Sequence, residues 1–379
     1  MKLNLQKDDL LYAVAAVARA VSSKNTMPIL SGILLQAPAD QPGKLILSAT
    51  DLELAMECMI DAEIEENGQV VAPGRYLLDL VRHLPEGPVT LISGNKDELI
   101  LNYEQSQSNI RCLDPDEFPA LPTAEGDLHG HIPLAVFRRM VKQVSIAAAT
   151  DEVRPLFTGV LIDLTEQGLT MVASDTHRLA IAFDDWQGEG EAKLIIPCRT
   201  MQEIARLASG DEGLIEITAS RNQAYFKFDN IVLASRVIAG QYPDYNQVLP
   251  LPSLYKTHTV IQRERLTLAL ERAALLSRDV ARGKANIVCL HWQADGLLLT
   301  AEAPDVGHIH EELPATLEGE EMCVNYNARY LLDALKVIDE ESVAFHLTGE
   351  TTPGIILPAS QELTKSAYTY LVLPIRVTR

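Results

Sequence analysis

Three stretches of the chain share one arrangement of apolar and polar positions. Leu5-Gln-Lys-Asp-Asp-Leu-Leu-Tyr-Ala-Val, Ile132-Pro-Leu-Ala-Val-Phe-Arg-Arg-Met-Val and Ile261-Gln-Arg-Glu-Arg-Leu-Thr-Leu-Ala-Leu each read as a short strand running into an amphipathic helix. Further on, Leu45-Ile-Leu-Ser-Ala-Thr-Asp, Leu169-Thr-Met-Val-Ala-Ser-Asp and Leu297-Leu-Leu-Thr-Ala-Glu-Ala read as strands, and the dipeptides before them, Pro42-Gly43, Gln167-Gly168 and Asp295-Gly296, suit tight turns. A second helix opens in each copy at Pro73-Gly-Arg-Tyr, Pro197-Cys-Arg-Thr and Asn327-Ala-Arg-Tyr, with Arg75, Arg199 and Arg329 in register. Alternating strands such as Glu98-Leu-Ile-Leu-Asn-Tyr, Tyr225-Phe-Lys-Phe and Tyr368-Thr-Tyr-Leu-Val-Leu follow.

Repetition at about 125 residues predicts an α+β protein of three domains, each with two helices packed on antiparallel sheets. The polar stretch Thr123-Ala-Glu-Gly-Asp and the segment Leu249-Pro-Leu-Pro-Ser set the expected borders, giving domains 1–126, 127–252 and 253–379. With 47% hydrophobic and 22% charged residues, the composition forms a core and excludes a mainly disordered chain. The longest apolar run, Leu10 to Ala18, falls short of the roughly 20 residues needed to span a bilayer, so no membrane partner is expected. Lys7, Asp8 and Asp9 lie where a signal peptide would need apolar residues, which predicts a cytoplasmic protein. Cys58, Cys112, Cys198, Cys289 and Cys323 are far apart and odd in number, and none forms a CxxC pair; they read as reduced, mostly buried thiols.

The formal charge of -20 would by itself repel nucleic acid. Its distribution changes that picture. The helical segments 7–24, 73–84, 134–148, 197–209, 263–284 and 327–338 hold 18 basic and 8 acidic residues, against 14 basic and 44 acidic elsewhere. Glu is as good a helix former as Lys or Arg, so propensity does not explain the bias. A basic helical surface implies a polyanion held through phosphates, with Lys24, Arg75, Arg82, Arg138, Arg139, Lys142, Arg199, Arg206, Arg278 and Arg282 as candidate contacts. Helix-turn-helix, zinc-finger and aromatic base-stacking signatures are missing, so recognition by shape and charge, independent of base sequence, is expected.

Several short motifs, in order and spacing, carry a resemblance along essentially the whole chain. They are Met27-Pro-Ile-Leu, Ala49-Thr-Asp-Leu-Glu, Phe118-Pro, Ala173-Ser-Asp-Thr-His-Arg-Leu-Ala, Gly240-Gln-Tyr-Pro-Asp-Tyr with Val248-Leu-Pro, and Leu373-Pro-Ile-Arg. The chain resembles the bacterial DNA polymerase III beta subunits, the sliding clamps of replication. The resemblance implies clamp-type domains, a head-to-tail homodimer closed into a ring around double-stranded DNA, and no catalytic activity, metal or cofactor. It implies as partners the polymerase III alpha subunit, the clamp loader, and other polymerases and repair proteins that dock through short hydrophobic motifs.

The implied peptide pocket would be lined by Phe157, Ser174, Thr176, His177, Arg178, Leu179, Pro243, Val248, Leu371, Val372, Leu373, Pro374, Ile375 and Arg376, with apolar walls and a few polar groups. Ile110, Leu275 and Leu276 match dimer-interface positions. Lys24 matches a basic loop position, Pro155 and Leu156 stand where the family can carry aromatic residues, Phe157 replaces a smaller aliphatic, and Gln247 stands where an Arg is frequent.

Enzymatic readings are weaker. Asp51 and Asp175 could supply metal-binding carboxylates for a nuclease or other hydrolase, a reading that predicts divalent-cation-dependent activity lost on changing either. They fall at equivalent points of different copies, however, and the third copy has Ala303 there, so an Asx-turn closing each strand is the better expectation. His177 lacks an accompanying GxSxG or HExxH, and His308 and His310 before Glu311 and Glu312 fit solvated positions on one strand. Nucleotide-binding loops are absent from the sequence. A further alternative is an acidic peptide-binding hub that never meets DNA.

Overall fold

The computed structural model describes residues 1–379 apart from 23–26, 95–96, 124–125, 127, 152, 209, 211, 277–285, 304–305, 364–365 and 377–379. The helices are α1 (Lys7–Val17), α2 (Gly74–His83), α3 (Leu134–Ser145), α4 (Cys198–Leu207), α5 (Arg263–Leu276) and α6 (Ala328–Leu335). Strands Lys2–Gln6, Leu128–Pro133 and Thr257–Gln262 run directly into α1, α3 and α5, as the repeated pattern predicts.

Two compact units are formed: Met1–Ala135 with Gln187–Gly190 and Glu203–Val237, and Val136–Trp186 with Glu191–Gln202 and Ile238–Arg379. The first holds a five-stranded sheet, in spatial order Glu63–Glu66, Lys2–Gln6, Pro88–Ile92, Glu98–Tyr103 and Ser106–Arg111. It also holds a nine-stranded sheet, ordered Gln187–Glu189, Leu128–Pro133, Leu214–Ala219, Gln223–Phe228, Ile231–Arg236, Leu54–Asp61, Lys44–Thr50, Gly32–Ala37 and Gly68–Pro73. The larger sheet runs unbroken from one sequence repeat into the next because Ile231–Arg236 pairs antiparallel with Leu54–Asp61, Leu233 opposite Met56.

The second unit repeats this plan. Its nine-stranded sheet is joined where Arg178–Asp184 pairs with Tyr368–Val372, placing Leu179 opposite Leu371. Its four-stranded sheet is ordered Gly307–Leu313, Gly296–Ala303, Ile287–Gln293, Met322–Asn327. The turn at Gly296 needs glycine: φ is +146°, and a Cβ would lie 2.5 Å from the Leu313 carbonyl oxygen.

Helical spacing sets which faces are buried. Leu77 and Val81 on α2, Leu266, Ala269, Leu270 and Ala273 on α5, and Leu331, Leu332 and Leu335 on α6 turn inward at three- and four-residue intervals. In the first unit α1 packs on α2 and on strands Lys44–Thr50 and Leu54–Asp61; in the second α5 packs on α6. Each fully buried Leu contributes about 1.5–3 kcal/mol relative to exposure, so a helix anchored by several is held mainly by this face. Asp8 and Asp9 in the first turn of α1 favour the positive end of its dipole. Asn327 caps α6, its side chain accepting from the Arg329 amide at 3.0 Å.

Candidate functional site

The motif Ala173-Ser-Asp-Thr-His-Arg forms a tight turn between strands Gly168–Ser174 and Arg178–Asp184. Ser174 Oγ donates to the Arg178 carbonyl (2.8 Å) and accepts from the Thr176 amide (3.1 Å). Asp175 Oδ1 accepts from the amides of His177 (2.9 Å) and Arg178 (3.0 Å), and Thr176 is held at φ 76°. In the first unit, Thr50 Oγ1 donates to the Leu54 carbonyl and accepts from the Leu52 amide, Asp51 Oδ1 accepts from the amides of Glu53 and Leu54, and Leu52 has φ 74°. The two copies thus build the same turn, atom for atom. Both aspartates serve as Asx-turn acceptors, the role their equivalent positions predict.

The turn at Asp175 borders a cleft of about 630 Å³ in the second unit. Arg178 is its most constrained side chain: Nε donates to Asp175 Oδ2 (2.9 Å), Nη1 donates to Asp333 Oδ2 on α6 (2.7 Å), and the guanidinium lies 4.3 Å from the Tyr330 ring centroid. Burial opposes its charge, but Tyr370, Asp333 and Asp175 more than offset this and raise its pKa. His177, exposed, stacks on Tyr330 at 6.4 Å between centroids. Arg154 and Arg329 also line the cleft, with Asp151 and Asp175 as the anionic members of the lining among the described residues.

Of the pocket residues expected from sequence, Phe157, Thr176, His177 and Arg178 line this cleft. Ser174 belongs to its turn, and Leu179 and Leu371 lie beneath in a buried cluster with Tyr242, against which Phe157 packs; Phe157 meets Tyr242 edge-on at 5.8 Å. Val372 is buried opposite Arg178. The Leu373 amide donates to the His177 carbonyl (2.9 Å) and the Ile375 amide to the Asn325 carbonyl (2.8 Å), which fastens the segment holding Pro374 beside the turn. Pro243, Val248 and Arg376 are exposed and outside the cleft lining. The walls are more polar than expected, because residues 150–151 and 153–154 and the start of α6 contribute Asp151, Arg154, Asn327 and Arg329. Asp151, Arg154, Tyr330 and Asp333 were not among the expected residues; the Arg-Tyr pair that Asn327-Ala-Arg-Tyr shares with Pro73-Gly-Arg-Tyr was the available sequence signal for Tyr330.

A second, smaller cleft of about 360 Å³ lies in the first unit beside the equivalent turn, lined by Thr50, Leu52, Leu121 and Arg236 among others. Leu121 packs there against Ala55, Tyr225 and Ala234.

The basic candidates divide clearly. Arg75, Arg82, Arg139, Lys142, Arg199 and Arg206 are exposed on α2, α3 and α4, and Arg138 is half-buried. Several have carboxylate neighbours: Arg82 with Asp79 (3.8 Å), Arg139 with Asp184, Lys142 with Asp339 (3.7 Å), and Arg206 with Glu203 (2.7 Å), which also accepts from Arg19 (2.6 Å). Lys24, Arg278 and Arg282 lie outside the described residues. Two residues counted in the basic helical segments have structural roles instead. Lys7 is buried against Glu86 (2.6 Å), and Arg263 donates to the carbonyls of Glu340 and Leu335. Arg272 is held by Glu311 through two bonds, 2.7 and 2.6 Å, so that carboxylate is already engaged.

At the expected dimer positions, Leu275 is 56% exposed, Leu276 half-buried and Ile110 buried at 3%. Ile110 lies on Ser106–Arg111, the edge strand of the five-stranded sheet. The thiols also differ from expectation: Cys58 and Cys198 are buried, whereas Cys112, Cys289 and Cys323 are half-buried. Among the described residues, no helix is long and apolar enough to cross a membrane.

Repeated strand-into-helix units, sheets continuous across repeats, and helices bearing exposed arginines define the DNA-clamp class of fold. Comparison with known proteins narrows this. Residues 1–122, 131–244 and 248–376 match the N-terminal, central and C-terminal domains of the DNA polymerase III beta subunit. The chain is 33% identical over 400 residues to a beta sliding clamp of Synechocystis, covering 100% of both chains, and 31% identical over 386 residues to one of Staphylococcus aureus, covering 99% of both. It superimposes on the crystal structures of the DNA polymerase sliding clamps of Bacillus subtilis (TM-score 0.93, 29% identity) and Pseudomonas aeruginosa (TM-score 0.90, 27% identity), in each case covering 100% of both chains. The chain belongs to the DNA polymerase III beta subunit family, the beta sliding clamps, which are replication processivity factors and not enzymes. Nothing in these comparisons supports the nuclease alternative.

Proposed function

We propose that two copies of this chain close head to tail into a ring around duplex DNA, with three domains per copy bordered near residues 126 and 252. The exposed arginines of α2, α3 and α4 would face the phosphates. Twelve helices each about 10 Å wide, side by side, give an inner circumference of about 120 Å and a diameter of about 38 Å, against roughly 20 Å for the duplex. Contact is then loose and mediated by water and long side chains, so the ring holds by topology and slides because base edges are not gripped. Two features support the closure: Ser106–Arg111 and Gly307–Leu313 are edge strands, and Leu275 is exposed on α5.

The cleft at Arg178 is the tether. It would take short peptide segments of the polymerase III alpha subunit, the clamp loader, and other polymerases and repair proteins. The observation that carries this reading is the cleft's chemistry: Phe157 and Tyr330 offer an aromatic seat, while Arg154 and Arg329 suit a carboxylate flanking an apolar anchor. Fluorescence anisotropy with a labelled peptide of that composition tests it. Phe157→Asp is expected to weaken binding at least tenfold, about 1.4 kcal/mol; undiminished affinity in a folded variant rejects the cleft as the tether.

A further inference from the structure

Cys289 and Cys323 are 34 residues apart in sequence, yet their Sγ atoms lie 2.6 Å from one another. The register of strands Ile287–Gln293 and Met322–Asn327 brings this about. Cys289 stands opposite Asn325 and Cys323 opposite His291, so the two thiols are diagonal neighbours on one face of the four-stranded sheet. That separation is roughly half an ångström longer than a covalent S–S bond of about 2.05 Å. Both side chains are half-buried, open enough for a small oxidant to reach. Burial pushes the Cys58 and Cys112 thiols up to about 12 and Cys198 up to about 11, which keeps each protonated and weakly nucleophilic.

We propose that Cys289 and Cys323 are a redox-modified dithiol that closes to an intramolecular disulfide when the protein meets a peroxide. One cysteine loses its proton and its sulfur attacks a peroxide oxygen; the O–O bond breaks, a sulfenic acid forms, and one water leaves. The second sulfur attacks the sulfenic sulfur; the S–S bond forms, the S–O bond breaks, and a second water leaves. Two thiols have then lost two protons and two electrons, and hydrogen peroxide has been reduced to two waters. The bond ties together the strand whose Asn325 carbonyl receives the Ile375 amide and its neighbour in the sheet, so oxidation stiffens the support of the C-terminal segment. This dithiol chemistry is independent of ring closure and of peptide binding.

The test uses the full chain, with hydrogen peroxide as the probe and iodoacetamide to block remaining thiols. Intact mass before blocking should fall by about 2 Da, and two thiols should then resist alkylation. Digestion at glutamates, which cuts between the two cysteines at Glu302, Glu311, Glu312, Glu318, Glu320 and Glu321, should yield a linked Cys289–Cys323 peptide pair that dithiothreitol separates. Cys289→Ser and Cys323→Ser should each abolish the pair; the mapping of the unsubstituted chain decides the matter even if a variant misfolds. The proposal is overturned if both cysteines remain alkylatable after peroxide, if either runs on to sulfinic or sulfonic acid in place of the linked pair, or if either bonds instead to another cysteine or a second chain.

Discussion

Arg178→Met removes the guanidinium that ties the cleft's turn to α6. The side chains concerned are little exposed, 11% for Arg178, 15% for Asp175 and 25% for Asp333, so the carboxylates left behind are poorly compensated by water. Removing one member of a buried pair costs about 3–5 kcal/mol. Asp175 keeps its two backbone amides, which places the loss at the lower end, about 3 kcal/mol. In local opening this corresponds to roughly 150-fold faster amide exchange. Hydrogen–deuterium exchange of peptides spanning 172–180 and 328–335 reads it directly. Asp333→Asn alone, which leaves Arg178 bonded to Asp175, should cost about 1 kcal/mol. The double variant removes the orphaned charge on α6, so its loss should fall short of the sum by about 1–2 kcal/mol. Effects additive to within about 0.5 kcal/mol, or exchange unchanged in Arg178→Met, would refute the claim that this ion pair holds the turn to the helix.

His346, packed 4.5 Å from the His258 ring and 5.6 Å from that of Tyr255, has its pKa lowered to about 4, first by burial and then by His258. A depressed folded value means this contribution to stability is full above the ordinary 6.5 and is lost as pH falls from there toward about 4. The NMR titration of the His346 ring should show that low midpoint, and a midpoint near 6.5 would contradict the burial argument. Asp51→Ala should destabilise its turn by about 1 kcal/mol, and Asp175→Ala, which also removes the carboxylate on Arg178 Nε, by more, about 2–3 kcal/mol, both measured by local amide exchange and both without any change in metal-dependent DNA cleavage; a divalent-dependent nuclease activity lost in either variant would revive the hydrolase reading. Replacing Arg138, Arg139 and Lys142 by Ala should reduce polymerase processivity and lower the salt slope of DNA association by about 0.9 for each phosphate no longer neutralised. Unchanged processivity would favour a hub that never meets DNA.

The repeat was readable because strand and helix periodicities leave a direct trace in sequence. Leu5, Ile132 and Ile261 each lie in or at the end of a strand that enters a helix, and Asp295-Gly296 makes the tight turn its composition suggests. The Asx role of Asp51 and Asp175 was readable for the same reason, since a turn is a local structure. What escaped were contacts made by sheet register and helix packing. Asp333 reads as an ordinary polar position on α6, and only the folded chain brings it to Arg178, 155 residues earlier. Cys289 and Cys323 meet through strand register alone. Helical cations are not one class: Lys7 and Arg263, each the first residue of its helix, fall among acceptors supplied by neighbouring segments and are drawn into structural contacts.

A closed ring of two chains on duplex DNA is tested most directly by solution mass combined with retention, after loading by a clamp loader, on circular and then linearised DNA. Ring closure predicts the mass of two 41.7 kDa chains, stable retention on the circle, and release when one cut supplies an end. A monomeric mass, or equal retention before and after the cut, would contradict it.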